Sequence, residues 1–165
     1  MQLQLAGPPY YEIVVGTDRE FANLTYRLDL EKGRDIAIRT LRGRKMESTR
    51  ELHNEIAAAL QFPYYYGENW DALEECLNDL SWIRARGYLL CFADASRLLA
   101  NEPKTEFEIF MDILSVACTN WTTREPRVPF HVLFHCNKGD IDAFRDQLGP
   151  ILGNVITAPI MDPEK

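Results

Sequence analysis

The sequence predicts an α/β fold: a small parallel β-sheet flanked by helices, with extra N-terminal β-strands. Two observations carry that expectation. Tyr88–Ala93 and Phe130–Cys136 are nearly continuous apolar runs, the pattern of strands buried on both faces. Stretches with helical periodicity lie between the strand segments, and such alternation builds βαβ units.

Taken in order, Tyr10 to Val15 reads as a strand after Pro8-Pro9. Leu24, Tyr26, Leu28 and Leu30 alternate with polar residues and predict a second strand, so the two are expected to form a hairpin or edge strands. Ile36 to Leu41 reads as a strand, followed by a tight turn at Arg42-Gly43-Arg44. Ser48 caps a helix whose apolar positions are Leu52, Ile56, Ala59 and Leu60. His53 stands alone on that helix and is expected to be structural. Gly87 opens the strand at Tyr88, and Pro103 precedes a helix with Phe107, Phe110, Met111, Leu114 and Ala117 on one stripe. Pro126 and Pro129 lead into Phe130–Cys136. Ile141, Phe144 and Leu148 mark a short terminal helix, and an extended tail is expected from Pro150 onward. The expected organisation is residues 1–35 as a strand extension, 36–136 as the main domain and 137–165 as helix and tail.

The densest chemistry lies in Phe62–Leu80, which holds Glu68, Asp71, Glu74, Glu75 and Asp79 and no Lys or Arg. Pro63 disfavours helix at Phe62, Gly67 can take a positive φ at little cost, and Asn69 suits an N-cap. A tyrosine-rich loop therefore feeds a helix starting near Trp70, with Asp71 in the first turn where the dipole favours it. At about 100° per residue, Leu73, Cys76, Leu77, Leu80 and Ile83 share one stripe, and Asp71, Glu74, Glu75, Asn78 and Trp82 the opposite one. An ordinary solvated face is the bland alternative. No Lys or Arg lies at i+3 or i+4 to relieve the repulsion, however, and Tyr64, Tyr65 and Tyr66 stand at the mouth of the helix. That combination suits a basic partner.

Composition narrows the classes. With 165 residues and 46% hydrophobic content, the chain fits one globular domain with a sizeable core. A net charge of −7 argues against broad phosphate neutralisation, so no direct nucleic-acid binding is expected. Arg34, Arg39, Arg42, Arg44, Lys45 and Arg50 gather upstream and are expected to offset the acidic helix. Cys76, Cys91, Cys118 and Cys136 lack C-x-x-C spacing, which suggests reduced core thiols, a cytoplasmic location and no metal site. His131 and His135 share a strand face but stand about 13 Å apart at ~3.3 Å per residue, too far for one ion. No leader or membrane-spanning run is read, so no membrane contact is expected. There is no glycine-rich phosphate loop, G-x-S-x-G elbow or H-E-x-x-H, and a convex acidic helix is a poor acid/base site, so neither an enzyme nor a cofactor is expected.

Pro63, Tyr65-Tyr66-Gly67, Asn69, Asp71-Ala72-Leu73 and Cys76-Leu77 resemble the signature of the barstar family of ribonuclease inhibitors. The resemblance runs upstream through Leu41-Arg42-Gly43, Met46 and Glu51-Leu52-His53, and more loosely downstream to about Cys136. It implies a small parallel three-stranded sheet flanked by helices. It also implies that Tyr65, Asn69, Asp71 and Glu75 contact a nuclease, with Gly67 shaping the loop. Three departures stand out: Glu75 where the family's namesake has the shorter Asp, Glu74 in place of a common tryptophan, and Val116 near the position of a later glutamate. Acidic groups can occupy a nuclease cleft as phosphate surrogates, with Tyr64, Tyr65, Tyr66 and Trp82 as aromatic anchors. The expected function is a non-enzymatic inhibitor or immunity protein that occludes a basic ribonuclease or toxin one to one. The alternative is a barstar-like interaction module with a basic non-nuclease partner.

Overall fold

A computed structural model describes residues 10–152 and 156–160. Five strands, β1 (Tyr11–Val15), β2 (Ile36–Arg42), β3 (Gly87–Ala93), β4 (Phe130–Cys136) and β5 (Ile156–Pro159), alternate with helices. The helices are α1 (Asp18–Lys32), α2 (Thr49–Leu60), α3 (Trp70–Asp79), α4 (Lys104–Thr123) and α5 (Ile141–Leu152). The strands form one sheet in the order β2-β3-β4-β1-β5, with every pairing parallel. Parallel neighbours require crossovers, and each helical segment supplies one.

Side-chain alternation along the strands divides the interior in two. Ile13, Leu90, Phe92, Val132 and Phe134 face α2, α3, α4 and α5 in the larger core. Their neighbours Val14, Leu89, Cys91 and Leu133 face the opposite way, onto Phe21, Leu24 and Leu28 of α1. The predicted double burial of β3 and β4 follows directly: every residue of β4 is buried, and all of β3 up to Phe92.

Three expectations are corrected. The segment holding Leu24, Tyr26, Leu28 and Leu30 is helix α1, not a strand. Thr17 Oγ1 accepts from Glu20 N–H at 3.3 Å while the Glu20 carboxylate accepts from Thr17 N–H at 2.8 Å, a capping box that starts the helix. The residues it buries, Phe21, Leu24 and Leu28, follow helical spacing, whereas Tyr26 and Leu30 are exposed. Nor does β1 belong to a hairpin or lie at an edge; it sits between β4 and β5. The expected tail from Pro150 is also replaced: α5 continues to Leu152, and Ile156–Pro159 pairs with β1 as an edge strand. Residues 1–9, 153–155 and 161–165, including the rest of the expected tail, lie outside the described residues.

All four cysteines are buried and free, as their apolar neighbours predict. Burial pushes the thiols of Cys91, Cys118 and Cys136 up to about 12, and the thiolate is the reactive form. The native protein should therefore leave Ellman's reagent essentially unreacted at pH 8 and release its thiols only in denaturant. Rapid stoichiometric labelling of native protein would contradict this packing.

Candidate functional site

The tyrosine loop joins α2 to α3. Gln61 ends α2 in the left-handed region at φ 52°, and Tyr66 N–H closes a turn onto Pro63 O at 2.9 Å. The residue with positive φ is Glu68, at 49°, rather than Gly67. Gly67 is favoured for a different reason: a Cβ there would lie 3.1 Å from Asn69 Nδ2, a tight contact that would push on the capping side chain. Asn69 is the predicted N-cap, its Oδ1 accepting from Ala72 N–H at 2.9 Å while its Nδ2 donates to Gly67 O at 3.2 Å. The side chain thus starts α3 and braces the loop before it.

The loop's tyrosines diverge. Tyr64 and Tyr65 are exposed and meet edge to face at 5.6 Å between centroids. Tyr66 turns inward, packs on Phe62 at 4.8 Å and places its hydroxyl 2.5 Å from His53 Nδ1. Burial raises its phenol above the usual range.

Helix α3 buries Leu73, Cys76 and Leu77, the predicted core stripe. Asp71, Glu74, Glu75 and Asp79 are exposed on the other side, and Glu68 is exposed on the loop. Among the described residues none of these five carboxylates forms a salt bridge. The expected offset by the upstream basic cluster is therefore not found. Arg42 is taken by Glu55 at 2.7 Å, Arg44 bridges Asp94 and Asp18, and Arg39 donates to its neighbour's carbonyl, Ile38 O.

Asn78 and Trp82 sit differently from the predicted outer stripe. Asn78 is half-buried, donates to Glu74 O at 2.8 Å and accepts from Asn120 Nδ2 of α4 at 2.9 Å. Helix α3 ends at Asp79, with Leu80 in the left-handed region at φ 46°, so Trp82 lies beyond it. The Trp82 indole donates to Leu60 O at 2.9 Å and meets Phe62 edge-on at 5.9 Å. The fully outward set is Tyr64, Tyr65, Gly67, Asp71, Glu74 and Glu75, with the exposed rim of Asn69. Glu68 and Asp79 join it; the signal was in the sequence, since both belong to the same basic-free run.

A second polar cluster lies at the carboxyl ends of the strands. The donor atoms of Asp18, Asp94 and His135 come within 4.8 Å of one another, close enough for a cation. That cation is supplied internally: the Arg44 guanidinium donates to Asp94 Oδ2 at 2.8 Å and to Asp18 Oδ2 at 2.8 Å. Both imidazole nitrogens of His135 are engaged, Nε2 donating to Gly16 O at 3.0 Å and Nδ1 accepting from Asp94 N–H at 3.3 Å. His131, also buried, packs against Tyr10.

Sheet and surface together define a parallel α/β module whose outward chemistry is an unpaired acidic helix beside exposed aromatic rings. The family model described as Barstar (barnase inhibitor) matches residues 36–135. The chain belongs to the barstar family. No protein with a curated description matches it. Among solved structures, the chain is similar to the ORC2 protein of Aeropyrum pernix in its ADP form (9% identity, TM-score 0.63, 93% of this chain and 43% of that one). It is also similar to the ORC2 ADPNP-ADP complexes (10%, 0.61, 95% and 43%) and to the Aeropyrum pernix ORC1 protein in complex with DNA (14%, 0.59, 94% and 40%). The chain spans less than half of those proteins, and at such identities the likeness concerns fold alone. At 93–95% of the chain it reaches beyond residues 36–135, the span of the family match.

Proposed function

We propose that the protein is a non-enzymatic inhibitor or immunity protein that binds one to one and occludes the active site of a cognate basic ribonuclease or toxin. The observation that carries this reading is the set of five exposed carboxylates without an ion pair among the described residues, on the loop and helix that follow Tyr64 and Tyr65. A ribonuclease cleft holds cations arranged for phosphates, and an acidic helix offers them carboxylates in the phosphates' place. Exposed tyrosines add rigid contact area at low entropic cost. The buried free thiols fit a reducing compartment, cytoplasmic in this reading.

A basic non-nuclease partner is the second reading. Val116, 38% exposed on α4, stands near where the family's namesake places a glutamate, and that departure favours a diverged target. Adenine nucleotides, which distinguish the ADP form and the ADPNP-ADP complexes of the similar ORC2 protein, find little support here. Phosphate-cradling loops set several glycine-rich residues between strand and helix, whereas only Gly16 and Thr17 separate β1 from α1. The Thr17 amide is already bonded to Glu20, and Asp18 adds negative charge.

The test is affinity capture from the native cell with the wild-type chain and with an Asp71→Ala/Glu75→Ala double variant. One basic protein with ribonuclease activity, retained by the wild type and lost by the variant, is the expected result. A captured protein without nuclease activity moves the assignment to the second reading. Equal capture by both chains removes the acidic helix from the account.

A further inference from the structure

His53 is 2% exposed, on the inner side of α2, and it contacts Tyr66 of the tyrosine loop and Trp70 at the start of α3. Its Nδ1 is 2.5 Å from Tyr66 Oη, and its ring packs on Trp70, the first residue of α3, at 4.9 Å. Its Nε2 is buried and, among the described residues, has no hydrogen-bond partner. A buried imidazole with one bonded and one bare nitrogen is tolerable only when neutral, because a charge there would be shielded from bulk solvent, and among the described residues no carboxylate forms an ion pair with it.

We propose that His53 is a positioning residue for the tyrosine loop: as a neutral imidazole it holds Tyr66, and with it the Tyr64–Gly67 turn, and protonation releases them. With Nδ1 accepting from the phenol, the loop is latched to α2. Protonation puts a hydrogen on Nδ1, reverses that bond, strands the phenol hydrogen and leaves a charged Nε2–H with no acceptor. The relief open to the ring is to move outward with the loop.

The surroundings agree on the direction. Burial lowers the affinity of His53 for a proton, and Glu68, the charged loop residue that acts on it, opposes this only in part. From α3, the Cys76 thiol lies beside Tyr66 and is itself raised by burial, so it stays neutral. From α4, Glu106 is bonded to the Trp70 indole at 2.9 Å. On α2 itself, Glu51 is held by Ser48. A base whose folded pKa is depressed contributes stability that is present above its unfolded value, near 6.5, and is lost as pH falls through the folded value. The latch is therefore closed at neutral pH and opens in acid. The consequence for binding rests on the acidic-helix reading above; the movement of the loop does not.

The test uses the free protein. His53 is titrated by NMR while the amides of residues 64–69 are followed for shift and hydrogen exchange, in wild type, His53→Gln and Tyr66→Phe. In wild type the loop amides move with His53's own midpoint, and their exchange, corrected for the intrinsic pH effect, rises by about tenfold or more across it, the equivalent of one pKa unit of preference. His53→Gln, which keeps an acceptor but cannot titrate, retains the neutral-pH loop shifts and abolishes the transition. Tyr66→Phe raises the histidine's midpoint and frees the loop at every pH, a result that stands even if the Gln variant fails to fold. A transition that persists in His53→Gln, or a His53 titration with unmoved loop amides, overturns the proposal. Because no partner enters these measurements, their outcome is separate from that of the capture experiment.

Discussion

Truncating Asp71 to alanine is expected to weaken capture of the cognate basic protein by about thirtyfold or more, the effect of losing one central contact worth ~2 kcal/mol. Asp79→Ala, at the far end of the helix, should weaken it by less than about fivefold. The difference comes from desolvation. Asp71 stands in the first turn of α3, two residues after the Asn69 cap and at the end of the helix fed by the loop of the exposed Tyr64 and Tyr65, where a partner covering the loop would exclude water. Asp79 is the last residue of the helix, beside the half-buried Asn78 that ties α3 to Asn120, and a charge at a rim stays hydrated and screened. The association rate should fall steeply between low salt and 0.5 M, where the Debye length has shrunk to about 4 Å. Binding titrations of the two variants against the captured partner provide the check. Equal losses at the two positions would mean that the ridge acts as diffuse charge, with no central carboxylate.

The largest stability effect is expected at Gly43→Ala, a loss of about 3 kcal/mol or more. Gly43 follows β2, and a Cβ there would run into the Asp94 carbonyl oxygen and lie 2.8 Å from the Ala93 carbonyl oxygen. Backbone at that point cannot retreat cheaply. Asp94 is already left-handed at φ 50°, its amide donates to His135, and its carboxylate is held by Arg44. Added volume against pinned backbone is the mechanism behind the upper tail of single-residue losses. Urea unfolding monitored by tryptophan fluorescence measures it; a loss under ~1 kcal/mol would show that β2 and β3 can separate at their ends without cost.

Gly43 also shows what was legible in the sequence. Arg42-Gly43-Arg44 reads as a tight turn from local signals, but the reason for glycine is a contact with residues 50 positions later, which no local pattern carries. The parallel sheet, the amphipathic α3 and its N-cap were readable because period, capping chemistry and burial agree there. They disagree in α1. Leu24, Tyr26, Leu28 and Leu30 give a clean alternation, yet Phe21, Leu24 and Leu28 with the Thr17–Glu20 box give the helix, and the capped helix won. The periodic stripe on α3 was likewise carried too far: it reached Trp82, although Leu80 had already turned the chain. At the site, charge could be counted from sequence, but which tyrosine points inward could not, because that depends on His53 approaching from another helix.

The placement of β1 in the middle of the sheet has a consequence for where this domain can be cut. A fragment trimmed to residues 36–135 would leave β4 with one bare flank, since β1 supplies its neighbour from Tyr11↔Val132 to Val15↔Cys136. That flank would be a row of unsatisfied amides and carbonyls on a strand with no charged side chain, a template for self-association. The first strand and its helix are thus the closure of the sheet rather than an appendage to it.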